Sequence, residues 1–308
     1  MDCKRVRMSS KIAIVIPAYK TDFLRNTLES IAVQDSRDFT VYIGDDASPA
    51  DIYGIVRDFE SRMDIVYRRF EKNMGRTDLV GHWKRCIDMS YEPWVFFFSD
   101  DDKMPSDAVS RILRTVEEYP QDRFFRFRLG LIDGSDCIVR TNPDFRSQYN
   151  MAEDILVEYL SGKISSAACE YVFHRSLVGD GTFVGFPLAW CSDVATWYKM
   201  SSMAGRTVNM TGDPVLWRNA ADVNISSSSG LEDRKAEALA LFIRWLERNY
   251  KGRKDRKLRR ALEVFIKTNL RISFNGNYTE ESLKNILSAY CSFSGFRALM
   301  LYIKFHRS

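Results

Sequence analysis

The first 120 residues alternate between two hydrophobic periods, and that alternation narrows the possible folds more than any other feature of the chain. Runs of β-branched and aromatic residues at 11–17, 39–44, 64–70 and 94–98 are each followed by apolar residues at helical spacing, at 22–34, 50–63, 78–89 and 105–119. The first run, Lys11-Ile-Ala-Ile-Val-Ile-Pro17, is apolar on both faces, as a strand buried within a parallel sheet must be. The order β-α-β-α-β-α-β with short connections predicts an α/β fold: an open, mostly parallel sheet with helices on both faces.

The pattern changes after Pro120. Strands are expected at 123–131 and 137–140 around a turn at 133–134, then a helix at 152–161 and a strand at 170–174. A helix at 190–203 follows Pro187, and short strands follow at 207–210 and 215–218. From 231 onward the chain reads as amphipathic helix. Ala236, Leu239, Ala240, Ile243 and Leu246 form one apolar stripe, and Leu262, Phe265, Ile266 and Leu270 a second. A boundary near 226–230 therefore divides an α/β domain, 1–230, from a helical C-terminal extension, 231–308.

Charge follows the same division. The extension holds 17 Lys plus Arg against 8 Asp plus Glu, a surplus of nine, so the first 230 residues carry a deficit of five within the net +4. Its densest stretch, Lys251-Gly-Arg-Lys-Asp-Arg-Lys-Leu-Arg-Arg260, suits an anionic membrane surface or a diphosphate-linked acceptor. A solvated helix face, a helical cap and a homodimer contact are the other readings; no nucleic-acid partner is expected. The six cysteines are scattered without a CxxC pair, which fits a reducing compartment. The basic start, 1–8, has no signal-type apolar stretch behind it, and no uninterrupted apolar segment reaches the ~18 residues that span a bilayer. A cytoplasmic protein is expected, with any membrane contact peripheral, on the inner face.

In an open parallel sheet, ligands bind beyond the carboxyl ends of the strands. Three features lie there: Pro17-Ala-Tyr19, Asp45-Asp46 and Asp100-Asp101-Asp102. Three consecutive carboxylates at the end of the aromatic strand Trp94-Val-Phe-Phe-Phe98 repel one another, and a cation would compensate them. Oxygen donors suit Mg²⁺ or Mn²⁺, and such an ion can bridge the phosphates of a nucleoside diphosphate. The plainer reading is a solvated acidic turn that caps the next helix. His82, His174 and His306 have no partner at metal-ligand spacing and read as structural or surface residues.

Four segments in order, Ile14-Val-Ile-Pro-Ala-Tyr19, Asp45-Asp-Ala-Ser48, Asn73-Met-Gly-Arg76 and Phe97-Phe-Ser-Asp-Asp-Asp102 followed by Pro105, resemble the signatures of the family 2 glycosyltransferases. The resemblance runs from about 11 to 229 and implies a GT-A fold and inverting transfer from a nucleotide-sugar, UDP-linked in most members. It implies that Pro17 and Tyr19 line the base pocket, that Asp46 hydrogen-bonds the base with Asp45 supporting that loop, and that Arg76 lies beside the base. Asp100 and Asp102 form the literal DxD. In the DxDD frame Ser99 takes the first acidic position, which leaves the main metal ligand open between Asp101 and Asp102. The acceptor base corresponds to Asp193, in Phe186-Pro-Leu-Ala-Trp-Cys-Ser-Asp193, where Ser192 replaces the first acid of the common Glu-Asp pair. Trp190 stacks on a sugar or sits in the core. Val215-Leu-Trp-Arg218 and Asn224-Ile-Ser-Ser227 resemble the closing segment, with Arg218 on the diphosphate, a loop at 219–229 over the donor, and no histidine after the arginine. The implied acceptor is a glycan or a lipid-linked molecule of surface polysaccharide assembly.

Two other functions compete with this one. Sugar-phosphate nucleotidyltransferases follow their first strand with a glycine-rich, arginine-containing loop, whereas this chain has Pro17-Ala-Tyr-Lys-Thr21. A non-catalytic sugar-nucleotide binding protein has no need of Asp46, the three consecutive acids and Asp193 together.

Overall fold

The computed structural model describes residues 10–219 and 230–306. The 224–227 part of the proposed closing segment, most of the loop at 219–229, most of the domain boundary at 226–230 and the basic start at 1–8 lie outside the described residues.

The predicted first half is present almost element for element. Strands β1 (Ile12–Ala18), β2 (Phe39–Asp45), β3 (Ile65–Arg69) and β4 (Trp94–Phe97) alternate with helices α1 (Leu24–Ala32), α2 (Ile52–Arg57) and α3 (Gly75–Ile87), and α4 (Ala108–Glu118) follows β4. The β1–β2, β2–β3 and β1–β4 pairings are all parallel. Along these strands side chains alternate between two layers. Ile12, Ile14, Ile16 and Phe96 pack with α1, α2 and α4, while Ala13, Val15, Val95 and Phe97 pack with α3 on the opposite face. That double burial is why β1 is apolar at every inner position.

The second half departs from the parallel expectation. Next come β5 (Phe124–Ile132), β6 (Ile138–Thr141), β7 (Tyr149–Asn150), α5 (Ala152–Leu160), β8 (Tyr171–His174), α6 (Ser192–Ala204) and β9 (Thr207–Arg218). The strand order is β3-β2-β1-β4-β8-β5-β9-β7, with β6 on β5. β8 sits between β4 and β5 and runs antiparallel to both, so the sheet is mixed. The two short strands expected at 207–210 and 215–218 are one strand, β9, which pairs parallel with β5 on both sides of an irregular stretch.

The extension forms α7 (Glu232–Asn249), α8 (Arg256–Thr268) and α9 (Glu280–Phe305). The side chain of Asp255 accepts the Lys257 and Leu258 N–H groups (2.8 and 3.1 Å) and starts α8. Thr279 does the same for Ser282 at the start of α9. Leu239, Phe242, Ile243, Leu262, Ile266, Leu287 and Tyr290 share one buried cluster with Leu156 and Leu160 of α5 and Ala195 of α6. Among the described residues, α9 alone is long and apolar enough to cross a membrane by length and composition. Its first half is packed inside this cluster instead.

Candidate active site

Three strand ends form one rim. Ala18 lies level with Asp45 across β1 and β2, and Val15 lies level with Phe97 across β1 and β4. The loops beyond them are tied together. The Asp100 carboxylate accepts the N–H groups of Tyr19 (2.9 Å) and Lys20 (3.0 Å). The Ser48 hydroxyl donates to the Tyr19 carbonyl (2.6 Å), and the Asp46 N–H donates to Ala18 (2.9 Å). Tyr19 itself is exposed at the rim, with Pro17 half-buried beneath it.

Asp45 and Asp46 are both buried, and both are held by the protein. Asp45 accepts the Ser48 N–H (2.7 Å), the Tyr67 hydroxyl (2.6 Å) and the Arg69 guanidinium (2.9 Å). Asp46 accepts the Met74 and Gly75 N–H groups (2.8 and 2.7 Å) at the start of α3, and the Arg85 guanidinium. A carboxylate at a helix N-terminus is a favoured arrangement. So the Asp46 carboxylate, expected on the base, is held by the protein's own amides and guanidinium. Its bonds fix the 73–76 turn and leave Arg76 exposed beside it. His82 lies 3.6 Å from Asp46, yet burial lowers its pKa to about 4, and its Nδ1 accepts a hydrogen bond from Arg85 (3.0 Å). It is a neutral core histidine.

The three consecutive acids have three different surroundings. Asp100 closes the β1 loop. Asp102 is fully buried; its Oδ1 accepts the Arg218 N–H (2.9 Å), and its Oδ2 has no hydrogen bond of ordinary geometry among the described residues. Its polar neighbours are the Ser99 hydroxyl and the Cys169 thiol. Asp101 is partly exposed, and no hydrogen bond reaches its carboxylate among the described residues. Burial, then repulsion from Asp102 and Asp100, raises the Asp101 pKa to about 9, against the pull of Lys20 and Arg218. Burial raises Asp102 to about 6 and Asp100 in the same direction.

Among the described residues, no three His, Cys, Asp or Glu side chains converge as a metal cage. The three aspartates are therefore not a ready-made set of ligands. One carboxylate without a hydrogen bond among the described residues, backed by two more and incompletely offset by Lys20 and Arg218, instead suits a divalent ion that takes its other ligands from substrate phosphates and water. The residues present fit that kind of site, with Asp101 as the contact.

Arg218 is where expectation and structure part. Its side chain is fully buried, with Nε on the Asp101 carbonyl (2.9 Å), Nη1 on the Asp133 carbonyl (2.8 Å) and Nη2 on the Asp136 carboxylate (2.5 Å). It also lies 4.1 Å over the Phe23 ring. A guanidinium committed to these internal partners clamps the acidic loop to the 133–136 turn instead of reaching a diphosphate. Asp136, at φ +64°, also takes the Lys103 ammonium (3.0 Å). Burial alone raises its pKa, but Arg218 and Lys103 outweigh that and hold the group below the ordinary carboxylate range. Stability from this link is present at neutral pH and is lost as pH falls through that lowered value. Asp136→Asn is expected to cost about 1–3 kcal/mol, because hydrogen bonds to a buried charge are lost while Asp136 is itself part-exposed. Thermal melts from pH 7 to pH 3 check this: the difference between variant and wild type should shrink toward acid.

Asp193 lies in the first turn of α6, half-buried. Burial raises its pKa to about 6; hydrogen bonds from the Val194 and Asp193 N–H groups oppose this, and the Glu170 charge adds to it. Glu170 is fixed by Arg126 (2.9 Å), Ser166 (2.5 Å) and the Ala167 N–H (3.1 Å). The loop before α6 holds three non-glycine residues at positive φ: Leu188 (+58°), Ala189 (+53°) and Cys191 (+64°). Such strain persists only where the surroundings enforce it, and it marks functional loops more often than plain connectors. Trp190 packs into the helical cluster, 5.2 Å from the Lys235 ammonium, which favours its core reading.

Sequence reasoning missed Lys20, Arg85, Asp136 and Cys169. Lys20 had the best signal, because it directly follows Tyr19. The others lie 39 or more positions from the residue they touch, and nothing local marks them.

The fold is a GT-A type α/β domain with an acidic rim at its strand ends. Residues 13–155 match the glycosyl transferase family 2 model. That match covers a little under half of the chain. A GalNAc(5)-diNAcBac-PP-undecaprenol beta-1,3-glucosyltransferase of Campylobacter jejuni subsp. jejuni serotype O:2 is 24% identical over 109 residues, 35% of this chain and 35% of that enzyme. That match spans about a third of the relative's length. The structure resembles residues 1–349 of S. aureus TarS in complex with UDP-GlcNAc, with a TM-score of 0.69 at 16% identity over 92% of this chain and 80% of that one. It also resembles the mannosyltransferase PcManGT from Pyrobaculum calidifontis in complex with GDP-Man and Mn²⁺, with a TM-score of 0.53 at 16% identity over 96% and 79%. At such identities these likenesses show the fold.

Proposed function

We propose that this chain is a metal-dependent inverting glycosyltransferase that moves a sugar from a UDP-linked donor to a hydroxyl of a glycan or lipid-linked acceptor in surface polysaccharide synthesis. The observation that carries this reading is the free Asp101 carboxylate at a rim where Asp100 ties the β4 loop to the β1 loop. The names of the similar proteins support a UDP-sugar donor and an undecaprenol-linked acceptor. In this reading Pro17, Tyr19 and Arg76 face the base, and Asp45 and Asp46 hold the pocket wall. Asp101 contacts Mn²⁺ or Mg²⁺, while Asp100 and Asp102 set its position. When bound, the ion supplies positive charge to the departing diphosphate. Residues 1–230 form the catalytic domain, and 231–308 form an extension that buttresses α5 and α6. A cytoplasmic location agrees with the free state of all five described cysteines.

Asp193 takes the acceptor hydroxyl's proton as that oxygen bonds to the anomeric carbon. The bond from that carbon to the diphosphate oxygen breaks on the opposite face, and UDP leaves with the electron pair. A base with a pKa near 6 is mostly ionised at neutral pH yet still basic enough to accept the proton.

Metal binding is expected to release protons. Asp101 is held protonated at neutral pH by its surroundings and must ionise to bind. Mn²⁺ affinity should therefore rise about tenfold per pH unit below about 9. Calorimetry in buffers of different ionisation enthalpy measures the protons released. Zero release, with affinity flat from pH 6 to 8, would remove Asp101 as the ligand.

A further inference from the structure

The second half of α9 is apolar on two sides. The helix breaks its regular geometry at Ser294 (φ −167°, ψ 94°). Before the break, Leu283, Ile286, Leu287, Tyr290 and Phe293 are buried in the C-terminal cluster. After it, Ala298 and Leu301 continue that inner face. Phe296, Leu299, Met300 and Ile303 point outward, 76%, 56%, 52% and 45% exposed. Their spacing places them on one stripe of the helix. A contiguous apolar stripe of this kind, unlike scattered exposed side chains, marks a surface that meets something.

The rim of the stripe is cationic. Lys267 and Arg271 of the α8 end, and Arg297 and Lys304 of α9, lie around it, and Ile272 beside Arg271 is 75% exposed. Two acids stand in this neighbourhood: Glu263, paired with Lys267 (2.5 Å) and Arg297, and Glu280, paired with Lys284 (2.6 Å) and 3.8 Å from His306. The sequence has no Asp or Glu after Glu281. A two-fold contact with a second copy would bring this cationic rim against itself. An anionic bilayer surface instead offers acyl chains to the stripe and headgroup phosphates to the rim.

We infer that the stripe Phe296, Leu299, Met300 and Ile303, with its rim of Lys267, Arg271, Arg297 and Lys304, is a docking surface for an anionic membrane. The helix lies along the interface with its outer face in the headgroup boundary, while its inner face stays packed on the protein. This surface stands independently of the enzymatic reading.

Flotation of the full chain tests it, using vesicles of phosphatidylcholine alone or with about 30 mol % phosphatidylglycerol, at low and high salt. Binding is expected to the anionic vesicles at low salt. It should weaken about tenfold in the pair Arg271→Gln/Lys304→Gln, and on the order of 100-fold in the triple Phe296→Ser/Met300→Ser/Ile303→Ser. All the altered side chains lie on the surface, so circular dichroism and melting temperature should match wild type and certify the fold. No binding to anionic vesicles at low salt overturns the inference, as does unchanged binding by the triple variant. Sedimentation velocity supplies the third outcome. If the triple variant dissociates a wild-type oligomer and vesicle binding does not change, the stripe is a subunit contact and the inference fails.

Discussion

Asp101→Ala is expected to lower metal-dependent sugar transfer by a factor on the order of 100 to 1,000, the cost of losing one electrostatic contact to the departing charge. The metal-free protein should not suffer. In the folded state the Asp101 carboxyl is raised to about 9, so its ionisation opposes folding. By linkage, the stability of the metal-free protein falls as pH rises from the unfolded pKa toward about 9, because the unfolded chain ionises first. The variant should therefore melt at or above the wild-type temperature, with the gap widening from pH 5 to pH 8. Transfer assays and paired melts measure both effects. Full activity in the variant would remove Asp101 as the metal contact, and a lower melting temperature would make its role structural. Asp102→Ala is expected to behave differently. It removes the acceptor of the Arg218 N–H and leaves that N–H without its buried partner, so it should lose stability as well as activity.

The second large effect is expected at Asp193. Asp193→Asn keeps the shape of the side chain and removes the base. Turnover should fall by roughly 100- to 10,000-fold, with UDP affinity within about twofold of wild type. Wild-type turnover should itself titrate. A base works only when ionised, so the rate should fall as pH drops below about 6, one decade per unit, and level off above it. The Asp193→Asn variant should lack that limb. A fall in UDP affinity equal to the fall in turnover would place Asp193 at the donor instead. An unchanged rate would end its role altogether.

The parts of the fold that could be read from the sequence are those whose causes are local. β1 to β4 are buried on both faces, and their β-branched and aromatic runs state this directly. α7 and α8 show in their apolar stripes, at 236–246 and 262–270, which the C-terminal cluster buries. α3 breaks its helical geometry at Asp78 (φ −143°, ψ 79°), where the apolar spacing starts the helix; the turn before it, from Gly75, is held by Asp46, which accepts its first amides from a distant strand end. β8 carries no mark that it will insert antiparallel between β4 and β5. Its neighbours are chosen by the sheet as a whole.

The site divides in the same way. The three strand ends were recognisable, because strand, turn and acid follow one another along the chain. The duty of each acid was not. Asp100, Asp101 and Asp102 are consecutive, yet one binds loop amides, one is free and one is buried beneath Arg218. Arg218 ends a strand beside the acidic loop, as a diphosphate ligand would. Its acceptors at Asp101, Asp133 and Asp136 lie 82 or more positions away, and they turn it into an internal clamp.

The central claim is that these strand ends make one nucleotide site completed by a divalent ion at Asp101. The most direct measurement is calorimetric titration of UDP into the wild-type protein and into Asp101→Ala, each with Mn²⁺ and with EDTA. The expected result is one UDP bound per chain in Mn²⁺, with affinity at least about tenfold weaker when either the metal or the carboxylate is removed, and no further loss when both are removed. UDP bound equally well in all four titrations, or in none, would contradict it.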